Sequence, residues 1–458
     1  MSKNKQNYDY DLVIIGSGAG GSVAADMVAS AGKRVAVVES DTLGGQCPNW
    51  GCIPTKALLE AARVLQTTKT ADSFGIRSSS TGFNFPSVQA WKDHAVRRTG
   101  VETTSHYYKT RGIGVFKGRA HFISPHEISV NRRHISAANF LIATGAQWRP
   151  LGAPLSSQVN ILNPRSALEL KRPPKSLFII GGGSVGVEFA ELFASFGTQV
   201  YIAEESPRLL PREDQEVSHL VEAVFTKRRR IHVLNKAKIT NVTMDAIHPR
   251  VAYMRGGEQH SVKVEHVLLA NGKQPSVDIG LENAGVEYTD RGIEVDEYLQ
   301  TSAKHIFAAG DVLGTNMYTH VGVYESRNAA HNILHRQKVA VDYRAVPRVT
   351  FVAPEVASVG MSEEDCLRRD MPIMTGIAPI NSVARANVAN AMDGFAKVIT
   401  DKNGTLIGGS VVSEHAGEVI HELTLAIQHR LHAHDIARML HAYPTWSDSL
   451  RLACNKIK

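Results

Sequence analysis

An α/β fold is what this sequence predicts, on three observations. Two distant segments share one plan: an apolar strand, a glycine-rich turn, a helix, a second strand and a closing acidic residue. The first reads DLVIIGSGAGGSVAADMVASAGKRVAVVES from Asp11 to Ser40, the second SLFIIGGGSVGVEFAELFASFGTQVYIAEES from Ser176 to Ser206. From about Pro347 the texture changes to β-rich runs (RVTFVA, FAKVIT, IGGSVVS) and then two helical stretches, which reads as a separate α+β domain. The expected architecture is therefore two Rossmann-like dinucleotide-binding domains followed by a C-terminal α+β domain.

Each βαβ unit carries its own chemistry. Gly16, Gly18 and Gly21 follow the first strand and open a helix, so backbone N–H groups and the helix N-terminus can face a pyrophosphate with no side chain in the way. Glu39 ends the next strand at the distance expected of a ribose-binding carboxylate. Gly181, Gly183 and Gly186 repeat the pattern, with Glu204 closing the second strand, so two dinucleotides are expected. A carboxylate at Glu204 accepts hydrogen bonds from a ribose 2′-OH and repels a 2′-phosphate, which favours NADH over NADPH. Arg208, close by in sequence, leaves NADPH possible.

Between the units lie a polar stretch around Ser78 to Gly82, a helix expected from about Ser87 onward, and strand-like runs such as GVFKGRAHF and NFLIATG. The Pro-rich KRPPK, Lys171 to Lys175, precedes the second unit and marks a boundary. The division expected is 1–150 for the first part of one dinucleotide domain, 151–272 for the other, 273–345 for the return to the first, and 346–458 for the last domain. No repeat of 20 to 50 residues and no low-complexity tract is present.

A chain of 458 residues supports several cores. Its apolar content of 43% and charged content of 21% are ordinary for a globular protein. No apolar run approaches the roughly 18 to 20 residues that span a bilayer, and the polar MSKNKQNYDYD leaves no room for a secretory signal, so a cytoplasmic, membrane-free protein is expected. The net charge of +7 is spread along the chain and does not point to nucleic acid. Its densest cluster, Lys227 to Arg230, reads as a solvated helix end.

Four cysteines are too few for a disulfide scaffold. Cys47 and Cys52, within GGQCPNWGCIPTK, are five positions apart. On a regular helix that spacing means about 7.5 Å of rise, beyond the Cα separation of about 4.4 to 6.8 Å that a disulfide tolerates. A bent turn is needed, which Gly51 can supply, and Pro54 suits the first turn of a helix running on through Lys56 and Ala57 to Arg63. Cys52 would then sit near a helix N-terminus, where the dipole favours a thiolate. A metal site is the rival reading, but no second Cys or His cluster completes four ligands. Cys366 and Cys454 read as simple thiols.

Taken together these residues resemble the FAD-dependent pyridine nucleotide-disulfide oxidoreductases, the family of dihydrolipoamide dehydrogenase, glutathione reductase and mercuric reductase. The resemblance covers nearly the whole chain and extends to the ATG turn at Ala143 to Gly145, GGGSVGVEFAE, FAAGDV at Phe307 to Val312, PEVASVG and HAYPTWSD. It implies FAD on Gly16, Gly18, Gly21, Glu39, Gly145 and Asp311, and the nicotinamide dinucleotide on Gly181, Gly183, Gly186 and Glu204. Lys56 would lie near the flavin ring with Glu188 as its ion-pair partner, a cation suited to the negative charge that builds there. By the same resemblance the C-terminal domain dimerises, and electrons pass from nicotinamide through FAD and a Cys47/Cys52 disulfide to a small-molecule or protein-bound disulfide or a thiol-bound metal ion. Cys47 is the thiolate that attacks the acceptor.

The chain departs from the family at its acid/base histidine. Tyr443 stands there, and the carboxylate position is the shorter Asp448. A tyrosine of pKa about 10 is roughly one part in a thousand phenolate at pH 7, a cost of about 4 kcal/mol for use as a base, although it can donate a proton. His441, two residues earlier, is read first as structural. Mercuric reductase has tyrosine near that position, but its vicinal C-terminal cysteines are absent from LACNKIK. A flavin-bearing redox sensor or assembly subunit with little turnover is the alternative.

Overall fold

The computed structural model describes residues 8–77 and 82–457, so most of the polar stretch at Ser78 to Gly82 lies outside the described residues. Two compact units divide the chain.

The first unit takes residues up to Ala57, Ala90–Pro150 and Gly272–Val341. Its strands are β1 (Tyr10–Ile15), β2 (Val35–Glu39), β3 (Gly114–Lys117), β4 (Ala120–Ser124), β5 (Glu127–Val130) and β6 (Arg133–Ile142). They lie in the order β3-β2-β1-β6-β5-β4, and a further strand, Ile306–Ala308, pairs with β6. The β1, β2 and β3 pairings and the outer half of β6 are parallel, whereas β4, β5 and the start of β6 form an antiparallel meander. Parallel strands are covered on both faces and read as continuous apolar runs; Leu12, Val13, Ile14, Val35, Val37, Phe140 and Leu141 are buried. Helix α1 (Ala19–Ser30) packs on the helix Thr319–Leu334. Close approach is built into the sequence here, because a Cβ on Gly20 would sit 2.7 Å from the Ala309 carbonyl.

The second unit takes Leu58–Gln89, Leu151–Asn271 and Asp342–Lys458. A four-stranded parallel sheet orders its strands as His232–Asn235, Gln199–Glu204, Ser176–Ile180 and His266–Leu269. A three-stranded antiparallel sheet, Lys238–Asp245, His248–Arg255 and Glu258–Lys263, follows. From Pro347 an antiparallel five-stranded sheet, with the short helices Glu363–Leu367 and Ala384–Ala389 between its strands, is followed by the helices Ala416–Gln428, Ala433–Arg438 and Asp448–Cys454, where two helical stretches were expected. The helix expected from Ser87 runs Phe85–Arg98.

Two charged clusters brace this unit. Lys397, 1% exposed, lies 3.3 Å from Asp214, 3.1 Å from Glu216 and 2.6 Å from Glu363. Burial works against its charge, but the Glu363 hydrogen bond and the other carboxylates hold its pKa above the ordinary lysine value. The basic run at Lys227 to Arg230 is not wholly a solvated helix end: Phe225–Arg229 forms a π-helical turn, and Arg229 pairs at 3.0 Å with buried Glu191. Periodicity and charge density cannot foresee a carboxylate waiting on another helix.

Candidate active site

The two glycine turns repeat each other in detail. Gly16 takes φ +108° and Gly181 φ +112°, where a Cβ would lie 2.2 Å from the Ala143 carbonyl oxygen and 2.4 Å from that of Ala270. A Cβ on Gly21 would come within 2.1 Å of the Gly16 carbonyl, and one on Gly186 within 1.9 Å of that of Gly181. These four glycines let strand and helix close on each other. The middle glycines answer to little in the fold: among the described residues no atom lies within 4 Å of a Cβ on Gly183, and only the Gly45 Cα, at 3.7 Å, lies near one on Gly18. Open space above amide groups at a helix N-terminus fits a pyrophosphate.

The strand-end carboxylates are aimed back at these turns. Buried Glu39 accepts from Ser17 N at 3.0 Å, Ser17 Oγ at 2.6 Å and Asp41 N at 2.8 Å. Glu204 accepts from Gly182 N and Ser206 N, each at 2.7 Å. Gly145, at φ +71°, opens onto free space. Asp311 follows Gly310, whose N–H donates to buried Glu325 at 2.6 Å. Lys273 donates to Asp311 at 3.1 Å and to the Gln46 side chain, with its Nζ 5.3 Å from the centroid of the Trp148 ring. The glycine cradle, the polar strand ends and this cation fit FAD on the first unit. The second turn fits a nicotinamide dinucleotide.

Between Cys47 and Cys52 the chain makes the bend that their spacing demands. A short helix α2 (Gln46–Trp50) ends at Gly51, and a new helix α3 (Cys52–Lys69) begins at Cys52 and continues past Arg63. Gly51 has φ −123° and ψ −115°. A Cβ there would crowd the Gln46 carbonyl at 2.9 Å and Cys47 Cα at 3.1 Å. Both cysteines are half-buried. Cys52 Sγ lies 3.3 Å from Thr319 Oγ1. The hydrogen bond to Cys52, burial and the charge of a Cys52 thiolate all push the Cys47 thiol far up. Cys52 opens α3, where the helix dipole favours a thiolate.

Lys56 sits one turn beyond Cys52 in α3. Buried Glu188, in the second unit, accepts from Phe351 N at 3.0 Å. Tyr443 is 77% exposed, while Asp448 pairs with Arg451 at 2.6 Å. His441, with a 4% exposed side chain, faces Glu422 at 2.9 Å through Nε2 and the Met439 carbonyl at 3.0 Å through Nδ1. Both ring nitrogens thus meet oxygen acceptors, the arrangement of a brace. Thr319, Lys273 and Gln46 escaped the sequence reading. Thr319 lies 267 residues from Cys52 and Lys273 lies 227 from Gln46, and no local pattern marks them.

An NAD(P)H- and FAD-dependent disulfide oxidoreductase is the class that this fold and site define. Residues 10–332 match the family model described as pyridine nucleotide-disulphide oxidoreductase and residues 346–454 that family's dimerisation domain, so the chain belongs to this family. It is 36% identical over 444 residues to a dihydrolipoyl dehydrogenase of Bacillus subtilis, covering 95% of this chain and 93% of the relative. It is 33% identical over 450 residues to a mercuric reductase of Bacillus cereus, covering 98% of this chain and 71% of the relative. Among solved structures, the Cu(II) complex of the HOCl-induced flavoprotein disulfide reductase RclA from Escherichia coli superposes with a TM-score of 0.87 at 29% identity, covering 99% and 100% of the two chains. These relatives favour the enzyme over the sensor. Among the described residues no helix is long and apolar enough to cross a membrane, and no group of three or more His, Cys, Asp and Glu is placed to hold a metal ion.

Proposed function

We propose that this chain acts in the cytoplasm as a homodimer, takes electrons from NADH, and delivers them through FAD and the Cys47/Cys52 pair to a soft metal ion bound by those thiols. The observation that carries the choice of acceptor is Tyr443, exposed where the family has its base, and the Cys47 thiol, pushed up by its hydrogen bond to Cys52 and by burial, agrees with it. Disulfide interchange starts with a thiolate attacking sulfur, and a thiol held protonated by its neighbour needs a base first. A soft divalent ion needs none, because thiolate coordination itself displaces the protons.

Bound FAD supplies the two-electron relay between the hydride donor and the disulfide. The glycines Gly16, Gly18 and Gly21, with Glu39, Gly145 and Asp311, hold it, and Lys56 supplies positive charge beside Cys52. NADH binds on Gly181, Gly183, Gly186 and Glu204, whose carboxylate selects the free ribose hydroxyl. Reduction of the disulfide uses one hydride and one proton and yields two thiols. One mercuric ion taking two electrons, or two cupric ions taking one each, releases both thiol protons and leaves Cys47 and Cys52 as a disulfide again. In this reading Tyr443 is a hydrogen-bond donor at the acceptor's approach and Asp448 pairs with Arg451 within the last helix. Exposed Leu425, Met439, Leu440 and Tyr443 supply apolar surface for the second copy. The division into 1–150, 151–272, 273–345 and 346–458 follows the same reading.

The test is NADH oxidation by the FAD-loaded protein with mercuric or cupric ion buffered by excess thiol, and separately with lipoamide and glutathione disulfide. Metal-dependent turnover lost in both C47A and C52A is expected. Lipoamide turnover that dominates, with no metal-dependent rate, would overturn the choice of acceptor.

A further inference from the structure

Arg208 is the first basic residue after Glu204, and its loop is fastened to the second glycine turn. Leu210 N donates to the Gly182 carbonyl at 2.8 Å, and a Cβ on Gly182 would meet Leu209 Cδ2 at 2.6 Å and Glu204 Cβ at 2.8 Å. A guanidinium on this loop has the chemistry that receives a 2′-phosphate, a bidentate acceptor that suits arginine. Yet Arg208 is engaged elsewhere. Its Nη2 donates to Glu364 at 2.6 Å and to the Glu213 carbonyl at 3.3 Å, and its side chain is 17% exposed.

Glu364 is held in place from both sides. It follows Glu363, which grips Lys397, in a short helix capped by Ser362 and Asp365. The pairing is also incomplete: the Arg208 Nε is buried with no hydrogen-bond partner among the described residues. Such an orphaned donor carries a desolvation cost that a new acceptor would remove. The arginine is therefore restrained by the Glu364 carboxylate and, at longer range, by the Glu213 carbonyl, with its Nε left over.

We infer that Glu364 is a positioning residue for dinucleotide choice. It withholds Arg208 from the 2′ position while Glu204 repels a phosphate there, and the inference rests on the assignment of NADH to this turn. Removing Glu364 frees the cation, and the gain appears only for a ligand that carries the phosphate.

The test measures calorimetric binding of 2′,5′-ADP and 5′-AMP to the FAD-loaded protein, together with kcat/KM for NADPH and NADH. Wild type is expected to bind 5′-AMP more tightly than 2′,5′-ADP. E364A is expected to tighten 2′,5′-ADP on the order of tenfold, the worth of one charge-assisted hydrogen bond, with 5′-AMP unmoved and the NADPH gain lying in KM. The gain is lost in R208M/E364A, and E364D restores the wild-type ratio. Equal changes for both ligands, or none, would overturn the role of Glu364 while leaving the NADH assignment standing. A wild type that prefers 2′,5′-ADP would remove the NADH assignment and this inference with it.

Discussion

Alanine at the middle and at the third glycine of the second turn should separate folding from binding. Gly183 has φ −73° and ψ −178°, a conformation open to any residue, and a Cβ there meets no atom within 4 Å. Two small effects on stability oppose each other. Restricting the unfolded chain stabilises by about 0.4 to 1 kcal/mol, and losing glycine at a helix N-cap costs a comparable amount, so G183A should melt within a few degrees of wild type. Its methyl group nevertheless fills the space that a pyrophosphate must enter. Loss of one or two hydrogen bonds to a charged group, at about 1.5 to 3 kcal/mol each, weakens NADH binding by roughly tenfold or more. G186A differs, because its Cβ would lie 1.9 Å from the Gly181 carbonyl oxygen. Helix and strand must separate, at a cost of about 1 to 3 kcal/mol, so both melting temperature and NADH affinity fall. Scanning calorimetry and NADH titration of the FAD-loaded variants check this. G183A binding NADH like wild type would refute the placing of the dinucleotide, and G183A melting as low as G186A would refute the open space.

Three further outcomes are expected. K397M strands Asp214, 5% exposed, without its partner; breaking a buried pair costs about 3 to 5 kcal/mol, which lowers the relevant melting transition on the order of 10 °C, and K397M/D214N should recover part of the loss in the same scan. In the reduced protein, C52A removes the hydrogen bond and the charge that raise the Cys47 thiol, so alkylation of Cys47 at pH 8 should quicken and its pH midpoint should move down. His305, stacked on His126 at 4.0 Å, is held below the ordinary histidine value mainly by burial. Its folded pKa is below its unfolded pKa of about 6.5, so the unfolded chain binds the extra proton and stability falls as pH drops from about 6.5 through the folded value. H305Q should therefore lose less melting temperature between pH 7 and pH 5 than wild type.

Sequence was most informative where the chemistry is local. Each βαβ unit packs its glycines, helix and carboxylate into about thirty residues, so the turns at Gly16 and Gly181 and the acids Glu39 and Glu204 could be read directly. The bend between Cys47 and Cys52 followed from the reach of a disulfide alone. The short helix Gln46–Trp50 did not, because a five-residue turn leaves no periodicity to detect. Thr319 beside Cys52, Lys273 beside Gln46, and the Phe351 amide on Glu188 are each joined by folding across more than 160 residues. The arginine cluster misled for the same reason: its exposure depends on Glu191, which its own segment does not contain.

The central claim is that electrons reach the acceptor through Cys47 and Cys52. Anaerobic titration of the FAD-loaded protein with NADH, followed by flavin absorbance, tests it most directly. Flavin and disulfide together hold four electrons, so full bleaching of wild type should need about two equivalents of NADH, after a long-wavelength band from a thiolate beside oxidised flavin has risen and fallen. C52A should show no such band and bleach with about one equivalent. Wild type that bleaches with about one equivalent and shows no band would contradict the account, because its cysteines would then lie outside the path of the electrons.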